Sequence, residues 1–321
     1  MKIANYRINL WIAAPLLFFI GVLLVNILFP SLFVAMSSDA LIALQFTMWV
    51  AYLLFFLYLV FIVVTQSKRM SSKIGFSLLF LFLIYLPIFP IINIINIVLL
   101  LFCTNPPFIR DIAPEFPEHK AFEQNYKKIT DEYNQYIAKN PTIDCFRNNN
   151  PLLREIDTID KEKDYCWRTL YLKKGGHLIP ETSSAFPFTA QLLANDQIDN
   201  AFFSILDPHV EIKPHTGYYK GYLRYHVGLI IPEEGGQRPY IVCGGERYEW
   251  SEGGGVLFDD MYLHYVNNPT SSPRVILYLD IKRRRLPYLL QGLTDFGNYL
   301  IENSVILQFF VKNQHQQSAL V

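Results

Sequence analysis

The chain has 321 residues, a formal net charge of zero, 51% hydrophobic residues and only 17% charged residues. Soluble globular proteins carry about 25% charged residues, so this composition excludes a wholly soluble protein, an intrinsically disordered chain and a small disulfide scaffold. Balanced charge without a long basic tract also gives no indication of a nucleic-acid partner.

The charged residues are distributed unevenly along the chain. Residues 1–103 contain six of them, and the other fifty lie between residues 104 and 321. We therefore predict a membrane domain over residues 1–103 and a juxtamembrane helical connector over residues 104–164. A jelly-roll domain is predicted over residues 165–285, and a helical tail over residues 286–321.

Three apolar segments, residues 10–28, 41–64 and 74–103, are long enough to be membrane spans, because a bilayer core requires about 20 apolar residues in a helix. Basic residues lie before the first segment (Lys2 and Arg7) and in the loop between the second and third (Lys68, Arg69 and Lys73). Since short cytoplasmic loops are rich in lysine and arginine, the N-terminus and this loop are predicted to face the cytoplasm.

The third apolar segment is interrupted by Pro87 and Pro90, and proline inside a helix removes hydrogen bonds and kinks it. A single kinked span would place the rest of the chain outside the cytoplasm, whereas a broken or re-entrant hairpin would return it. We predict the hairpin, and therefore an integral membrane protein whose catalytic domain is on the cytoplasmic face. The connector is predicted to contain a helix over residues 122–138.

Beyond residue 165 the sequence changes to short apolar runs separated by glycine pairs, which is typical of β-strands. Strands are predicted over residues 169–172, 201–206, 223–231, 240–242, 246–250, 255–258, 262–266 and 274–281. So many short strands favour an all-β sandwich or barrel, and the fold class predicted is a double-stranded β-helix, or jelly roll, with flanking helices. The four cysteines are far apart without metal-site spacing, which predicts reduced thiols.

Histidine and arginine residues concentrate in one part of the predicted jelly roll. Three of the seven histidines, His215, His226 and His264, fall between residues 215 and 264, and Arg274 follows ten residues later. Imidazole binds Fe(II) well and open coordination positions admit a cosubstrate and oxygen. The pattern therefore indicates a mononuclear iron site, with His215 and His264 as metal ligands and an anionic cosubstrate.

Residues 203–281 closely resemble the aspartyl/asparaginyl β-hydroxylase family of Fe(II)/2-oxoglutarate dioxygenases. The resemblance rests on Ser-Ile-Leu at 204–206, Pro-His-Thr-Gly at 214–217, Leu-Arg-Tyr-His-Val-Gly-Leu at 223–229, Phe-Asp-Asp at 258–260 and the isolated residues His264 and Arg274. It implies Fe(II), 2-oxoglutarate and O2 as cofactors. It also implies that Arg274 binds the distal carboxylate of 2-oxoglutarate and that Arg224, His226 and Ser204 line the cosubstrate site.

The sequence departs from the usual dioxygenase pattern at Gly217, where most such sites have a carboxylate two residues after the first histidine. This glycine is similar to that of the protein-hydroxylating branch of the family. Water could complete the metal shell, or Asp259 or Asp260 could approach it. Carboxylates that hydrogen-bond to metal-bound histidines orient the rings, and we predict either this role or a purely structural one for the two aspartates.

The resemblance implies a hydroxylase that inserts one oxygen atom into an unactivated C–H bond, and the apolar segments before residue 104 predict that it is membrane-bound. Membrane anchoring favours the acyl chain of a lipid A-type substrate, and the basic run at 282–285 could contact lipid phosphates or be an ordinary solvated charge run. One alternative is a peptidyl aspartyl/asparaginyl β-hydroxylase, which Gly217 favours. Another is a non-catalytic β-domain anchored to the membrane.

Overall fold

The computed structural model describes residues 88–149, 156–158 and 162–303, together with the isolated positions 50 and 54. The chain divides into two compact units, Met1–Val98 and Leu99–Val321. Apart from those two positions, the predicted spans at 10–28 and 41–64 lie outside the described residues, and the span at 74–103 is described only from residue 88. Within the described ranges, no helix has the length and apolar character needed to cross a bilayer.

The described residues form seven helices and eleven strands. The helices are α1 (Ile88–Phe102), α2 (His119–Gln124), α3 (Tyr126–Lys139), α4 (Phe146–Asn149), α5 (Pro180–Ser183), α6 (Pro187–Leu193) and α7 (Tyr288–Asn303). The strands are β1 (Phe108–Ile109), β2 (Trp167–Lys174), β3 (His177–Leu178), β4 (Ile198–Leu206), β5 (Glu211–His215), β6 (Tyr222–Ile230), β7 (Tyr240–Cys243), β8 (Glu246–Glu249), β9 (Gly255–Phe258), β10 (His264–Asn267) and β11 (Arg274–Lys282).

Strands β4 to β11 form two antiparallel sheets with the orders β9-β6-β11-β4 and β5-β10-β7-β8. The chain passes back and forth between these two four-stranded sheets, which is the topology of a double-stranded β-helix. The predicted jelly roll is therefore confirmed. Strands β1, β2 and β3 extend the first sheet to seven strands.

The larger sheet is buried on both faces because helices cover its outer side. On β6, Leu223, Tyr225 and Val227 belong to an apolar cluster that also contains residues of α2, α3 and α6. Alternate residues of a strand point to opposite faces, so Arg224 and His226 of the same strand point toward the smaller sheet. The interior between the sheets therefore receives the polar side chains, among a second set of apolar residues drawn from both sheets.

Each of the eight predicted strands overlaps an observed strand, but β1, β3 and β5 were not predicted. Strand β5 contains Pro214, which lowers strand propensity, and it forms an edge of the smaller sheet, where proline is tolerated. The predicted helix at 122–138 is two helices that meet at Asn125. The predicted C-terminal helical tail contains α7, and its residues 304–321 lie outside the described ranges.

The prediction of four reduced cysteines is wrong at two positions. Cys145 and Cys166 form a disulfide, whereas Cys103 and Cys243 are free and buried. A β-bridge between Cys145 and Arg168 brings the segment before α4 alongside β2, and this contact places the two cysteines together. No local motif marks a pair separated by 21 residues, so the pairing depends on the tertiary structure.

Candidate active site

The two predicted metal ligands lie opposite each other in the smaller sheet. His215 is the last residue of β5, His264 is the first residue of β10, and the antiparallel register pairs them directly. The centroids of the two imidazole rings are 4.2 Å apart. Two residues separated by 49 positions in the sequence are thus held side by side by strand pairing.

Hydrogen bonds orient both imidazole rings in the same way. Nδ1 of His215 is 2.8 Å from the carbonyl oxygen of Lys213, and Nδ1 of His264 is 2.9 Å from that of Tyr262. Since a carbonyl only accepts hydrogen bonds, each Nδ1 carries the proton and each Nε2 retains its lone pair. Burial lowers the pKa of His215 to about 3 and that of His264 to about 4, so both rings are neutral near pH 7, as metal ligands must be.

Arg274, the predicted carboxylate-binding residue, is fully buried at the start of β11. One of its terminal nitrogens donates to Oγ of Ser204 at 3.1 Å, and the guanidinium carbon lies 5.0 Å from the ring centroid of Trp250. Trp167 also donates its indole N–H to Oγ of Ser204, at 2.9 Å. With two donors already directed at its oxygen, the Ser204 hydroxyl retains its own proton to donate.

Several buried polar atoms around Arg274 have no hydrogen-bond partner among the described residues. They are Nε of Arg274, both ring nitrogens of His226 and the indole nitrogen of Trp250. Burial lowers the pKa of Arg274 to about 9, since no carboxylate in the described part of the chain pairs with it. Unsatisfied buried donors and an uncompensated buried cation are costly, so the site is suited to an anionic ligand.

Aromatic contacts connect the histidine pair to the arginine. The ring of Phe258 lies 5.8 Å from that of His264 and 4.9 Å from that of His226. His226 is in turn 6.0 Å from Trp250, over which Arg274 lies. The structure therefore brings His215, His264, His226, Arg274 and Ser204 into one region between the sheets.

Arg224 differs from the other predicted cosubstrate residues because it is fully engaged by protein carboxylates. It pairs with Asp260 at 2.8 Å and also with Asp280. The sequence analysis did not identify Asp280, although the alternation of β11 places it on the same face as Arg274 and thus offered a signal. With two carboxylates as partners, Arg224 has little remaining capacity to bind a further anion.

The side chain of Asp260 fills the space that a side chain at position 217 would need. A Cβ built on Gly217 would lie 2.1 Å from Oδ2 of Asp260. Oδ1 of Asp260 is buried and has no hydrogen-bond partner in the described residues. Burial and the nearby carboxylates Asp259 and Asp280 raise its pKa to about 6, in opposition to Arg224. A carboxylate from the β9–β10 turn thus replaces the missing side chain two residues after His215.

Asp259 belongs to a separate buried ion cluster at the same turn. It pairs with Lys220 and, at 2.6 Å, with Arg283. Burial by itself would raise the pKa of Asp259, but Lys220 and Arg283 hold it at about 2. Arg283 and Lys282 are paired within the fold, which leaves only Arg284 and Arg285 of the predicted basic run exposed.

The donor set fits a metal ion beside an anion. Two neutral imidazoles present Nε2 toward the same region, and the uncompensated Arg274 lies nearby. No group of three histidine, cysteine, aspartate or glutamate side chains within the described ranges is arranged to hold a metal ion. His215 and His264 are thus the two candidate protein ligands of such an ion.

Fold and site together define a double-stranded β-helix protein with a histidine pair and, in the same interior, a buried arginine that no carboxylate of the described residues pairs with. The family model described as aspartyl/asparaginyl beta-hydroxylase matches residues 123–284. The chain belongs to this family of hydroxylases, which confirms the resemblance found in the sequence.

Individual relatives act on different substrates. The chain is 30% identical over 209 residues to the ornithine lipid ester-linked acyl 2-hydroxylase of Rhizobium tropici, a match that covers 65% of this chain and 70% of that protein. It is 30% identical over 182 residues to the aspartyl/asparaginyl beta-hydroxylase of Mus musculus, covering 52% of this chain but only 23% of the mouse protein.

A likeness also exists to the crystal structure of a Pseudomonas putida prolyl-4-hydroxylase. It has 12% identity and a TM-score of 0.32, and it covers 52% of this chain and 90% of that one. A TM-score this low does not establish a common fold, so the fold assignment rests on the strand order described above.

Proposed function

We propose that this chain is a membrane-associated hydroxylase that uses Fe(II), 2-oxoglutarate and O2 to insert one oxygen atom into an unactivated C–H bond. The observation that carries the proposal is the direct pairing of His215 with His264 across β5 and β10, close to a buried arginine without a carboxylate partner in the described residues. Bound iron together with 2-oxoglutarate supplies the oxidising chemistry.

The residues of the chain have distinct roles in this proposal. His215 and His264 would hold the metal through Nε2, because their Nδ1 protons are donated to backbone carbonyls. Arg274 would bind the distal carboxylate of 2-oxoglutarate through its planar fork of donors, and Ser204 would donate its hydroxyl proton. His226, which lies between Trp250, Phe258 and Tyr278, would exclude water from the cosubstrate.

We further propose that the substrate is the acyl chain of a membrane lipid, of the lipid A or ornithine-lipid type. A row of aromatic rings extends from His226 across the larger sheet: Tyr278 is 4.8 Å from His226, Phe202 stacks on Tyr278 at 4.2 Å, and Tyr171 is 4.7 Å from Phe202. Such a wall suits an apolar chain. Arg224, paired with two aspartates, is poorly available to bind an acidic peptide side chain.

Peptidyl aspartyl/asparaginyl hydroxylation is the second candidate. Gly217 and the mouse relative favour it. The two substrates make different demands on the pocket, since an aspartate side chain requires a cation beside it and an acyl chain does not.

The catalytic part of the proposal is tested with the purified full chain. With Fe(II), substrate and O2, it should convert 2-oxoglutarate to succinate and bind about one iron ion. His264→Ala should abolish turnover, because a single histidine cannot hold iron firmly. His177→Ala is the matched control, since this exposed histidine on β3 lies on the strand at the far edge of the larger sheet, and it should leave turnover unchanged. A wild-type chain that binds neither iron nor 2-oxoglutarate would refute the proposal.

The substrate is tested by mass spectrometry of lipids from cells with and without the gene. Acyl-chain hydroxylation should add 16 mass units to one lipid class, either lipid A or an amino-acid-containing lipid, only when His264 is intact. A 16-unit difference that occurs solely in protein digests, on aspartate or asparagine, would instead establish the second candidate.

A further inference from the structure

Helix α7, which follows the last strand of the jelly roll, has one apolar face that the described part of the protein leaves exposed. Tyr288 and Leu289 are 91% and 83% exposed, and Tyr299 and Phe296 are about half exposed. At 100° per residue these four side chains share one side of the helix, which also contains Gly292. The opposite side is formed by Thr294, Gly297, Asn298 and Ile301, which are buried.

Specific contacts fasten the buried side of α7 to the jelly roll. Tyr219 donates its hydroxyl to the carbonyl of Thr294 at 2.9 Å, and Lys282 pairs with Glu302 at 2.6 Å. The orientation of the helix is therefore fixed, and its apolar face is directed away from the domain. Asp295, about 20° from Tyr288 around the helix axis, lies at the edge of this face and is the one acidic residue among the exposed positions 288–299.

Two arginines adjoin this face at the N-terminal end of α7. Arg284 and Arg285 are exposed, and neither forms an ion pair with a residue in the described ranges, whereas the preceding Lys282 and Arg283 are both paired. Surfaces that lie in the membrane interface combine exposed tyrosine, phenylalanine and leucine with arginine. The aromatic rings lie at the headgroup level, and the guanidinium groups bind anionic lipid phosphates.

We propose that this surface, defined as Arg284, Arg285 and the exposed face of α7, docks on an anionic lipid bilayer. Charge complementarity and the aromatic composition favour a bilayer over a second copy of the chain, whose matching surface would offer the two arginines a single exposed carboxylate, Asp295. The three uncharged segments before residue 104 are consistent with a domain that works close to a membrane. The inference does not depend on the reaction proposed above.

Docking would place the bilayer close to the histidine pair. Tyr219, which anchors α7, lies four residues after His215, and the half-exposed Tyr218 is its neighbour. Arg283, immediately before the exposed arginines, pairs with Asp259 at the turn that leads to His264. Two contacts, from Tyr219 to α7 and from Arg283 to Asp259, thus connect the docking surface to the segments next to the two histidines.

The test measures the depth of a spin label on the full chain reconstituted into vesicles. Leu289→Cys carries the label, and Gln237→Cys is the control. Gln237 lies in an exposed loop that follows β6. The strand begins at Tyr222 and is about 27 Å long at 3.4 Å per residue, so this loop lies beyond its far end. The free cysteines of the described part, Cys103 and Cys243, are buried. In phosphatidylcholine vesicles containing phosphatidylglycerol, the label at 289 should be accessible to oxygen and shielded from a water-soluble relaxation agent, and the label at 237 should remain water-accessible.

Replacing both arginines, as Arg284→Gln with Arg285→Gln, should shift the docking equilibrium of the label at 289 toward water by about 30-fold, or about fivefold for each arginine. Phosphatidylcholine alone should show a comparable loss. A label at 289 that remains water-accessible in anionic vesicles would overturn the proposal. It would also be overturned by shielding at 289 that is the same in anionic vesicles, in phosphatidylcholine alone and in the double arginine variant, which would mean that an anionic bilayer is not what covers the helix.

Discussion

Arg274 is a buried cation that has no buried anion beside it among the described residues, and this makes it a sensitive test of the cosubstrate assignment. A buried, charge-assisted carboxylate pair that loses one partner costs about 3–5 kcal/mol. Arg274→Ala should therefore raise the 2-oxoglutarate requirement by roughly two to four orders of magnitude, since each 1.4 kcal/mol is tenfold. Arg274→Lys keeps the charge but loses the planar fork, and should give an intermediate value.

Titration of 2-oxoglutarate turnover and the iron content of the same preparations check this expectation. Iron should remain near the wild-type level, because His215 and His264 are unchanged. Arg238→Ala serves as the control, since Arg238 makes an exposed pair with Glu233, and such pairs contribute about 1 kcal/mol or less. An unchanged cosubstrate requirement in Arg274→Ala would assign this arginine to the scaffold.

Position 217 requires glycine, because the side chain of Asp260 leaves no space there for a Cβ atom. Because Oδ2 of Asp260 lies 2.1 Å from the position of a Cβ there, Gly217→Ala should lower the free energy of unfolding by about 1–3 kcal/mol, as overpacking does. Turnover should fall as Asp260 is displaced. In an Asp260→Ala background the same substitution should cost much less, a coupling that a double-mutant cycle of denaturation measurements detects.

Gly292→Ala is the matched control for Gly217→Ala, since nothing lies within 4 Å of a Cβ at Gly292. In the middle of helix α7, alanine should be neutral or stabilise by up to about 1 kcal/mol. If the penalty at position 217 were the same with and without Asp260, the two residues would not compete for space.

The residues that the fold brings together in the candidate site could be picked out from the sequence where a short motif contains them. His215, Arg224 and His226 lie in short sequence motifs of the family, and His264 and Arg274 follow them in the sequence. The relation between Gly217 and Asp260 was not predictable, because which side chains share a volume depends on how the β9–β10 turn folds over the end of β5. For the same reason Arg224 was expected at the cosubstrate, and its two carboxylate partners came to light only with the register of β6, β9 and β11.

The β9–β10 turn depends on the buried ion cluster of Lys220, Asp259 and Arg283. Lys220→Met removes one cation and leaves a buried carboxylate with a single partner, which typically costs about 3–5 kcal/mol. We expect this loss in the free energy of unfolding measured by denaturant. Turnover should fall as well, because the turn positions His264. Arg247→Met, which removes an exposed pair with Glu249, should cost about 1 kcal/mol or less.

The cluster also predicts the direction of a pH effect. The pKa of Asp259 falls from its ordinary value of 3.8 to about 2 in the folded protein, so its contribution to stability is present above pH 4 and is lost as the pH falls toward 2. Lys220→Met should weaken this acid-induced loss. A wild-type and a variant protein with the same acid denaturation curve would show that Lys220 does not hold the pKa down.

The positions of the strands in the sequence were easier to predict than the partners with which they pair. Period-two alternation and glycine pairs locate β6 and β11, whose alternate residues are buried on opposite faces of the larger sheet. Strand β5, which supplies His215, was missed because Pro214 interrupts its pattern, and only its place at the edge of a sheet makes the proline acceptable. Local propensity therefore predicts the fold class, whereas tertiary contacts determine where the strand with the proposed metal ligand His215 lies.

At the scale of the whole chain, the predicted membrane topology and the disulfide indicate different compartments for the catalytic domain. The proline-interrupted segment at 74–103 predicts a catalytic domain on the cytoplasmic face. Disulfides, however, are rare in the cytoplasm and persist in oxidising compartments, so the bond between Cys145 and Cys166 favours the opposite face. A disulfide that closes a loop of about 20 residues stabilises by about 3 kcal/mol, which gives the bond a structural role within the folded domain.

We expect Cys145 and Cys166 to be oxidised in native membranes and the domain to lie outside the cytoplasm. A permeant maleimide should modify them only after denaturation and reduction, as measured by peptide mass, and a reporter fused after residue 321 should be active outside the cytoplasm. Cys145→Ser should release Cys166 as a labelled thiol and lower the free energy of unfolding by about 3 kcal/mol. Cys243→Ser is the control for loss of a buried thiol without loss of a bond. Reduced cysteines in native membranes, together with a cytoplasmic reporter, would instead support the re-entrant hairpin, because the reducing cytoplasm would then be the compartment in which the domain folds.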